Sequence, residues 1–202
     1  MHLPNIGVVN VGSSGNVFNV IKSIRYTGAT CGLIKQEDDF SKYDKIILPG
    51  VGSFPYVMDA LRNNNFHHAL IESMKCKPTL GICLGLQVLC GVGHEFQEVS
   101  GLNIIRGEVR KLNCSGVVPN MGFRTIEIVK DSPIFKGISE NDEFYFMHSY
   151  EVINHTETIA ISTYNNHSYV CAIQKDHVFG VQFHPEKSRE PGLRIIQNFI
   201  DL

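Results

Sequence analysis

The stretch that most constrains this chain runs from Lys77 to Leu89, Lys-Pro-Thr-Leu-Gly-Ile-Cys-Leu-Gly-Leu-Gln-Val-Leu. A short apolar run after a proline has the length and character of a buried strand, and the Leu/Gln/Val run that follows reads as a helix. The Gly-x-Cys-x-Gly join sets Cys83 on a sharp strand-to-helix turn, with Gly81 and Gly85 where neighbouring backbone comes too close for a Cβ. An elbow of this kind lifts the sulfur out of the sheet edge. It also sets the sulfur at a helix N-terminus, where partial positive charge and free N–H groups favour a thiolate and a developing oxyanion. On the elbow alone two readings stand: a nucleophile, or a buried core thiol of the ordinary kind.

The chain before the elbow alternates strand and helix patterns. Asn5 to Val11 is a β-branched run closed by Gly12-Ser13-Ser14-Gly15. Val17, Val20, Ile21 and Ile24 then recur at helical spacing, with Gly28 where a C-terminal cap belongs. The glycine turn lacks the Lys-Ser/Thr of a Walker loop and the third glycine of a dinucleotide fingerprint, so it reads as a tight βα turn. A second strand is expected at Cys31 to Ile34, a solvated acidic loop over Gln36 to Asp44, and a third strand at Lys45 to Leu48. That strand runs into Pro49-Gly50-Val51-Gly52, where two glycines around Val51 permit an unusual backbone with N–H groups turned into a cleft. The segment reads either as an oxyanion strand or as another βα turn. Helical patterns over Tyr56 to Asn64 and Phe66 to Met74 lead back to Cys83. Such alternation predicts an α/β fold with an open, mostly parallel sheet flanked by helices and a site at the carboxyl ends of its strands.

After the elbow the pattern changes to short alternating segments at Asn103 to Val109, Thr125 to Val129, Glu143 to Met147, Thr158 to Tyr164, Tyr169 to Gln174 and Val178 to Phe183. They predict an added antiparallel layer. Neither a repeat nor a low-complexity linker separates the halves, so residues 1–202 are expected to form one domain. Leu193, Ile196, Phe199 and Ile200 predict a closing helix. Just before it, Gly180-Val181-Gln182-Phe183-His184-Pro185-Glu186 ends a strand at a histidine, with proline stiffening the exit so that Glu186 can lie beside the imidazole. A cysteine nucleophile needs a base to take its proton and return one to the leaving group, and that base needs an orienting carboxylate. His184 and Glu186 supply both.

Composition narrows the partners. A net charge of −2 gives no electrostatic case for nucleic acid or an anionic membrane. A hydrophobic content of 43% in 202 residues is enough for a full core. The sequence offers neither an apolar run of membrane-spanning length nor a signal-peptide pattern, which points to the cytosol. Cys31, Cys76, Cys83, Cys90, Cys114 and Cys171 form no CxxC pair and no zinc spacing with histidine, so they read as reduced thiols, and no metal or cofactor is expected. The Asn-x-Ser/Thr triplets at Asn113, Asn154 and Asn166 then carry no glycan.

Taken together, GICLGLQ around Cys83, PGVGSF at 49–54, HSY at 148–150 and GVQFHPEKS at 180–188 resemble the class I glutamine amidotransferases, in the right order and across nearly the whole chain. Within that class the Pro-x-Met-Gly element at 119–122, the Glu-Lys-Ser ending and the opening Val-Gly-Ser-Ser-Gly-Asn are similar to the glutaminase subunit of imidazole glycerol phosphate synthase (HisH). The resemblance implies Cys83 as nucleophile, His184 as acid/base and Glu186 as its orienting acid. It further implies an oxyanion hole from the N–H groups of Val51 and Leu84, and glutamine held by Gly52, Gln87, Glu95 and the backbone of Ser149 and Tyr150. Glutamine would be hydrolysed and its ammonia passed to a (β/α)8-barrel cyclase subunit of HisF type in a heterodimer. That partner would meet Asn120, Met121, Phe123, Arg124 and Lys187. Here the chain departs from the family, which usually reads Pro-His-Met-Gly-Trp-Asn where this sequence has Pro119-Asn120-Met121-Gly122-Phe123-Arg124. Two further readings therefore stand beside the first: a paralogous amidotransferase subunit serving a different acceptor, such as a surface-polysaccharide sugar, and a non-catalytic binding module.

Overall fold

A computed structural model describes residues 4–12 and 15–202. The chain opens with β1 (Asn5–Val9), α1 (Gly15–Tyr26), β2 (Thr30–Ile34), β3 (Lys45–Gly50), α2 (Phe54–Asn63), α3 (Phe66–Ser73), β4 (Thr79–Cys83) and the short α4 (Leu84–Val88). It continues through β5 (Val92–Gly93), β6 (Val99–Ser100), β7 (Glu108–Lys111), β8 (Asn120–Thr125), β9 (Glu127–Ile128), β10 (Glu143–His148) and β11 (Tyr150–Ile153). It closes with β12 (Thr158–Tyr164), β13 (His167–Lys175), β14 (Val178–Val181) and α5 (Arg189–Asp201). The glycine turn expected at 12–15 lies partly outside the described residues.

The main sheet has eight strands in the order β2-β1-β3-β4-β14-β13-β12-β9. The first five are parallel to their neighbours, while β13, β12 and β9 extend the sheet by antiparallel pairing. Every residue of β3, β4 and β14 is buried, as expected of parallel strands with both faces covered. Alternation along β3 assigns the two faces. Ile47 packs with Val17, Val20 and Ile24 of α1 and Ile196 and Phe199 of α5. Ile46 and Leu48 pack with Val57, Met58 and Leu61 of α2 and Phe66 and Leu70 of α3. The added antiparallel strands thus lie partly in the main sheet and partly in two small sheets, β10-β8 and β11-β7-β5-β6.

Local chemistry explains the ends of these elements. Ser53 caps α2, its hydroxyl accepting from the Tyr56 N–H at 3.4 Å, with Pro55 in the first turn. Gly28 follows α1 at φ +85, the left-handed geometry read from the sequence. Lys45, almost fully buried, donates to the Phe199 and Ile200 carbonyls at 3.1 and 2.7 Å and ties the last turn of α5 to β3.

Three expectations are corrected. The segment 36–44 is not a solvated loop: Glu37–Lys42 forms a 3-10 turn that buries Phe40 edge-on against Phe66, ring centroids 5.6 Å apart. Asp39 holds the turn by accepting from the Lys35 N–H at 2.9 Å and the Lys42 ammonium at 2.7 Å. Residues 103–107 are irregular rather than strand, because the Ile104 and Ile105 N–H groups both turn to the Leu89 carbonyl at the end of α4. The strands β8 and β11, absent from the sequence reading, carry residues that matter to the site. Among the described residues, no helix is long and apolar enough to cross a membrane.

Candidate active site

Cys83 ends β4 with φ 55 and ψ −110, a backbone that side-chain-bearing residues rarely adopt. The packing that imposes it is visible at the flanking glycines. A Cβ on Gly81 would come within 2.7 Å of the Gly85 carbonyl, and one on Gly85 would overlap the Leu48 carbonyl of β3. The elbow read from the sequence is therefore present, with Cys83 8% exposed.

Because β14 lies parallel to β4 with Val181 opposite Ile82, the chain leaving β14 runs beside Cys83. The His184 N–H donates to the Tyr145 carbonyl of β10 at 2.8 Å, and a 3-10 turn at Pro185–Lys187 folds Glu186 back. Its Oε1 lies 2.8 Å from His184 Nδ1, with both side chains sealed from solvent. A carboxylate can only accept, so Nδ1 carries the proton of the neutral ring and Nε2 is left for other work. That Nε2 has no hydrogen-bond partner among the described residues. Burial draws the His184 pKa down, but the Cys83 sulfur and the Glu186 carboxylate outweigh it and lift it well above the ordinary 6.5. The electrostatics thus favour the protonated His184 ring beside Cys83 and Glu186. Ser188 locks the turn, donating to the His184 carbonyl at 2.6 Å and accepting from the Tyr145 N–H at 2.9 Å.

A cavity of about 320 Å³ opens at this point. It is at the small end of ligand pockets, suited to one amino-acid-sized molecule. Cys83, His184, Val51, Gly52, Leu84, Gln87, Glu95, Ser149 and Tyr150, all singled out from the sequence, line it together. Gly52 has φ +100, the unusual backbone expected beside Val51. Glu95 accepts from the Phe54 N–H at 2.7 Å, which fixes one wall to the start of α2. Gln87 is 4% exposed, with its amide donating to the Tyr150 carbonyl at 3.0 Å and to Gln182 Oε1 at 2.9 Å.

The residues expected at a partner surface divide into two sets. Met121 is 53% exposed at the cavity mouth. Phe123 meets the Tyr145 ring at 5.4 Å, Lys187 lies over that ring, and the Arg189 guanidinium lies 4.5 Å from the Phe123 ring, so these form one outer patch. Asn120 is not on it. It is fully buried because β8 pairs with β10 in the register Asn120 to His148, which turns its amide onto His148 Nε2 at 3.0 Å and the Tyr169 hydroxyl at 2.9 Å. Arg124 also turns inward, donating to Asn120 Oδ1 at 2.7 Å and stacking on Tyr164 at 4.3 Å. His148 lines the cavity as a neutral ring, since burial holds its pKa down to about 4 and its Nδ1 lies 2.9 Å from the Tyr150 carbonyl. Two site residues escaped individual notice in the sequence, His148 and Gln182. The signal for Gln182 was a glutamine embedded in an otherwise apolar strand end.

Similarity to known proteins agrees with this geometry. The family pattern described as glutamine amidotransferase class-I matches residues 8–202. The chain is 40% identical over 193 residues to imidazole glycerol phosphate synthase subunit HisH 1 of Campylobacter jejuni (strain RM1221), covering 94% of this chain and 96% of that protein. It is 39% identical to the HisH subunit of Pelagibacter ubique (strain HTCC1062), over 98% of this chain and 100% of that one. The HisH subunit of Methanocaldococcus jannaschii is 37% identical over 98% of this chain and 99% of its own length. In fold it is similar to PurLQS from Thermotoga maritima, with a TM-score of 0.77 at 16% identity and 99% of both chains covered. With a family match across almost its whole length, this chain belongs to the class-I glutamine amidotransferases.

Proposed function

We propose that this chain is the glutaminase subunit of an imidazole glycerol phosphate synthase, a single cytoplasmic domain that supplies ammonia to a HisF-like (β/α)8-barrel cyclase in a heterodimer. The observation that carries the reading is the Cys83, His184 and Glu186 alignment on adjoining strand ends at one cavity. Relatives named as HisH at 37–40% identity support the assignment to that enzyme.

In this mechanism the Cys83 thiolate attacks the side-chain amide carbon of glutamine. The N–H groups of Val51 and Leu84 receive the oxyanion, and His184 protonates the departing nitrogen from Nε2. Ammonia leaves and a thioester remains. His184 then takes a proton from water, whose oxygen attacks the thioester carbon, and collapse releases glutamate with the Cys83 thiolate and protonated His184 restored. Gly52, Gln87, Glu95 and the Ser149–Tyr150 backbone hold the amino-acid end of the substrate. Met121, Phe123 and Lys187 face the cyclase, and a water-excluded path keeps ammonia unprotonated on its way across.

One observation favours a second reading, in which the acceptor belongs to another pathway. Phe123 stands in the outer patch, against Tyr145 and Arg189, where the family usually has Trp, so the surface that meets the acceptor enzyme is reshaped. Cys83→Ala is expected to abolish glutamine hydrolysis while leaving the fold and partner binding intact; steady-state activity in that variant would refute the nucleophile. Titrating a histidine-pathway cyclase against the wild-type chain separates the two readings, because the first requires stimulated hydrolysis and the second none.

A further inference from the structure

Gln182 has no solvent exposure, and a buried amide must find partners for both its N–H groups and its carbonyl oxygen. The partners here fix the orientation of two amides in turn. The Tyr150 carbonyl can only accept, so the Gln87 nitrogen faces it at 3.0 Å. The second Gln87 N–H then points at Gln182 Oε1, 2.9 Å away, and uses that oxygen. The Gln182 nitrogen is left facing Cys83 Sγ at 3.6 Å. Reversing either amide would oppose two oxygens or two N–H groups in a site closed to water.

We propose that Gln182 anchors the Cys83 thiolate, its N–H held on the sulfur by a relay through Gln87 to the Tyr150 carbonyl. The inference rests on Cys83 being the nucleophile. A neutral thiol is a weak acceptor and a thiolate a strong one, so this N–H stabilises the charged form selectively and fixes the direction in which the sulfur presents its lone pairs. The Met147 carbonyl, 3.8 Å from the sulfur, can engage only the protonated thiol. When sulfur acylates its charge is lost and the N–H contact weakens. The anchor therefore acts on the attacking species and not on the thioester.

The test is the rate of Cys83 alkylation by iodoacetamide as a function of pH, read at the Cys83 peptide by mass spectrometry, in wild type, Gln182→Met and Gln182→Glu. Thermal melting establishes that each variant is folded. Gln182→Met keeps the shape and removes the N–H, and it should move the alkylation midpoint up by about one pH unit. Gln182→Glu turns a carboxylate oxygen toward the sulfur and should move it further. An unchanged midpoint in a folded Gln182→Met protein overturns the anchor. If wild-type Cys83 shows no low-pH reactivity and Cys83→Ala still hydrolyses glutamine, the nucleophile reading has failed instead, and the anchor falls with it.

Discussion

Backbone strain at Cys83 should be measurable by comparing two variants, Cys83→Ala and Cys83→Gly. Both remove the sulfur, so its burial and its ion pair cancel between them. What differs is the Cβ, held at φ 55 and ψ −110, well away from the ordinary left-handed helical well. Strain of this kind amounts to about 3 kcal/mol at the upper end for a residue with a Cβ. Glycine relieves it. Against that, glycine's freer unfolded chain costs about 0.7 kcal/mol, and one lost buried methyl costs about 0.8 kcal/mol. Cys83→Gly should therefore be the more stable variant by about 1.5 kcal/mol, or roughly 3 to 6 °C in Tm for a chain of this size. Differential scanning calorimetry of the two purified proteins decides it. An alanine variant as stable as the glycine variant, or more stable, would show that the elbow is not strained and that the paired glycines alone shape it.

Three other outcomes are expected. The folded-state pKa of His184 is raised above its ordinary 6.5, so the stability it contributes is complete below that pH and is lost as pH rises toward about 10. Glu186→Gln should thus show its largest deficit against wild type in denaturant melts below pH 6.5, and a pH-independent deficit would remove the carboxylate from that role. His148 is shifted the other way by burial, so its neutral ring contributes stability above 6.5 that is lost as pH falls toward about 4. NMR titration of its ring should show no transition near 6.5, and one there would contradict the buried Asn120 and Tyr150 contacts. Gly85→Ala, which drives a Cβ into the Leu48 carbonyl, should destabilise the chain by about 3 kcal/mol or more, and a soluble variant with wild-type Tm would refute that packing.

The elbow and the His184-Glu186 turn were legible because each depends on contiguous residues: glycines two positions either side of Cys83, and a proline between histidine and carboxylate. The alternation of apolar runs and helical periods made the parallel core legible for the same reason. What could not be read is set by register between distant segments. Asn120 is internal only because β8 pairs with β10 so that it faces His148, and nothing in Pro-Asn-Met-Gly says which side of a strand will be covered. The role of Gln182 depends on two amides and a carbonyl from three separate elements. Phe40 was missed because one aromatic in an acidic run carries no periodicity, yet it finds Phe66 across the fold. Likewise, a strand over Val178 to Phe183 was expected and forms over Val178–Val181, but its insertion between β4 and β13 is a matter of topology, not of pattern.

That insertion has a bearing on when the protein becomes active during synthesis. β14 is the last strand made, yet it occupies an interior place in the sheet, and it brings Gln182 to a sulfur 99 residues earlier in the chain. Pairings of such long sequence separation form late, after loop closure has been met by many other contacts. A ribosome-bound chain that has paired only β1 to β4 would carry Cys83 without His184, Glu186 or Gln182 beside it. If Cys83 is the nucleophile, such an unfinished chain would lack the histidine that hydrolysis needs, and the site would be complete only once β14 is in place between β4 and β13.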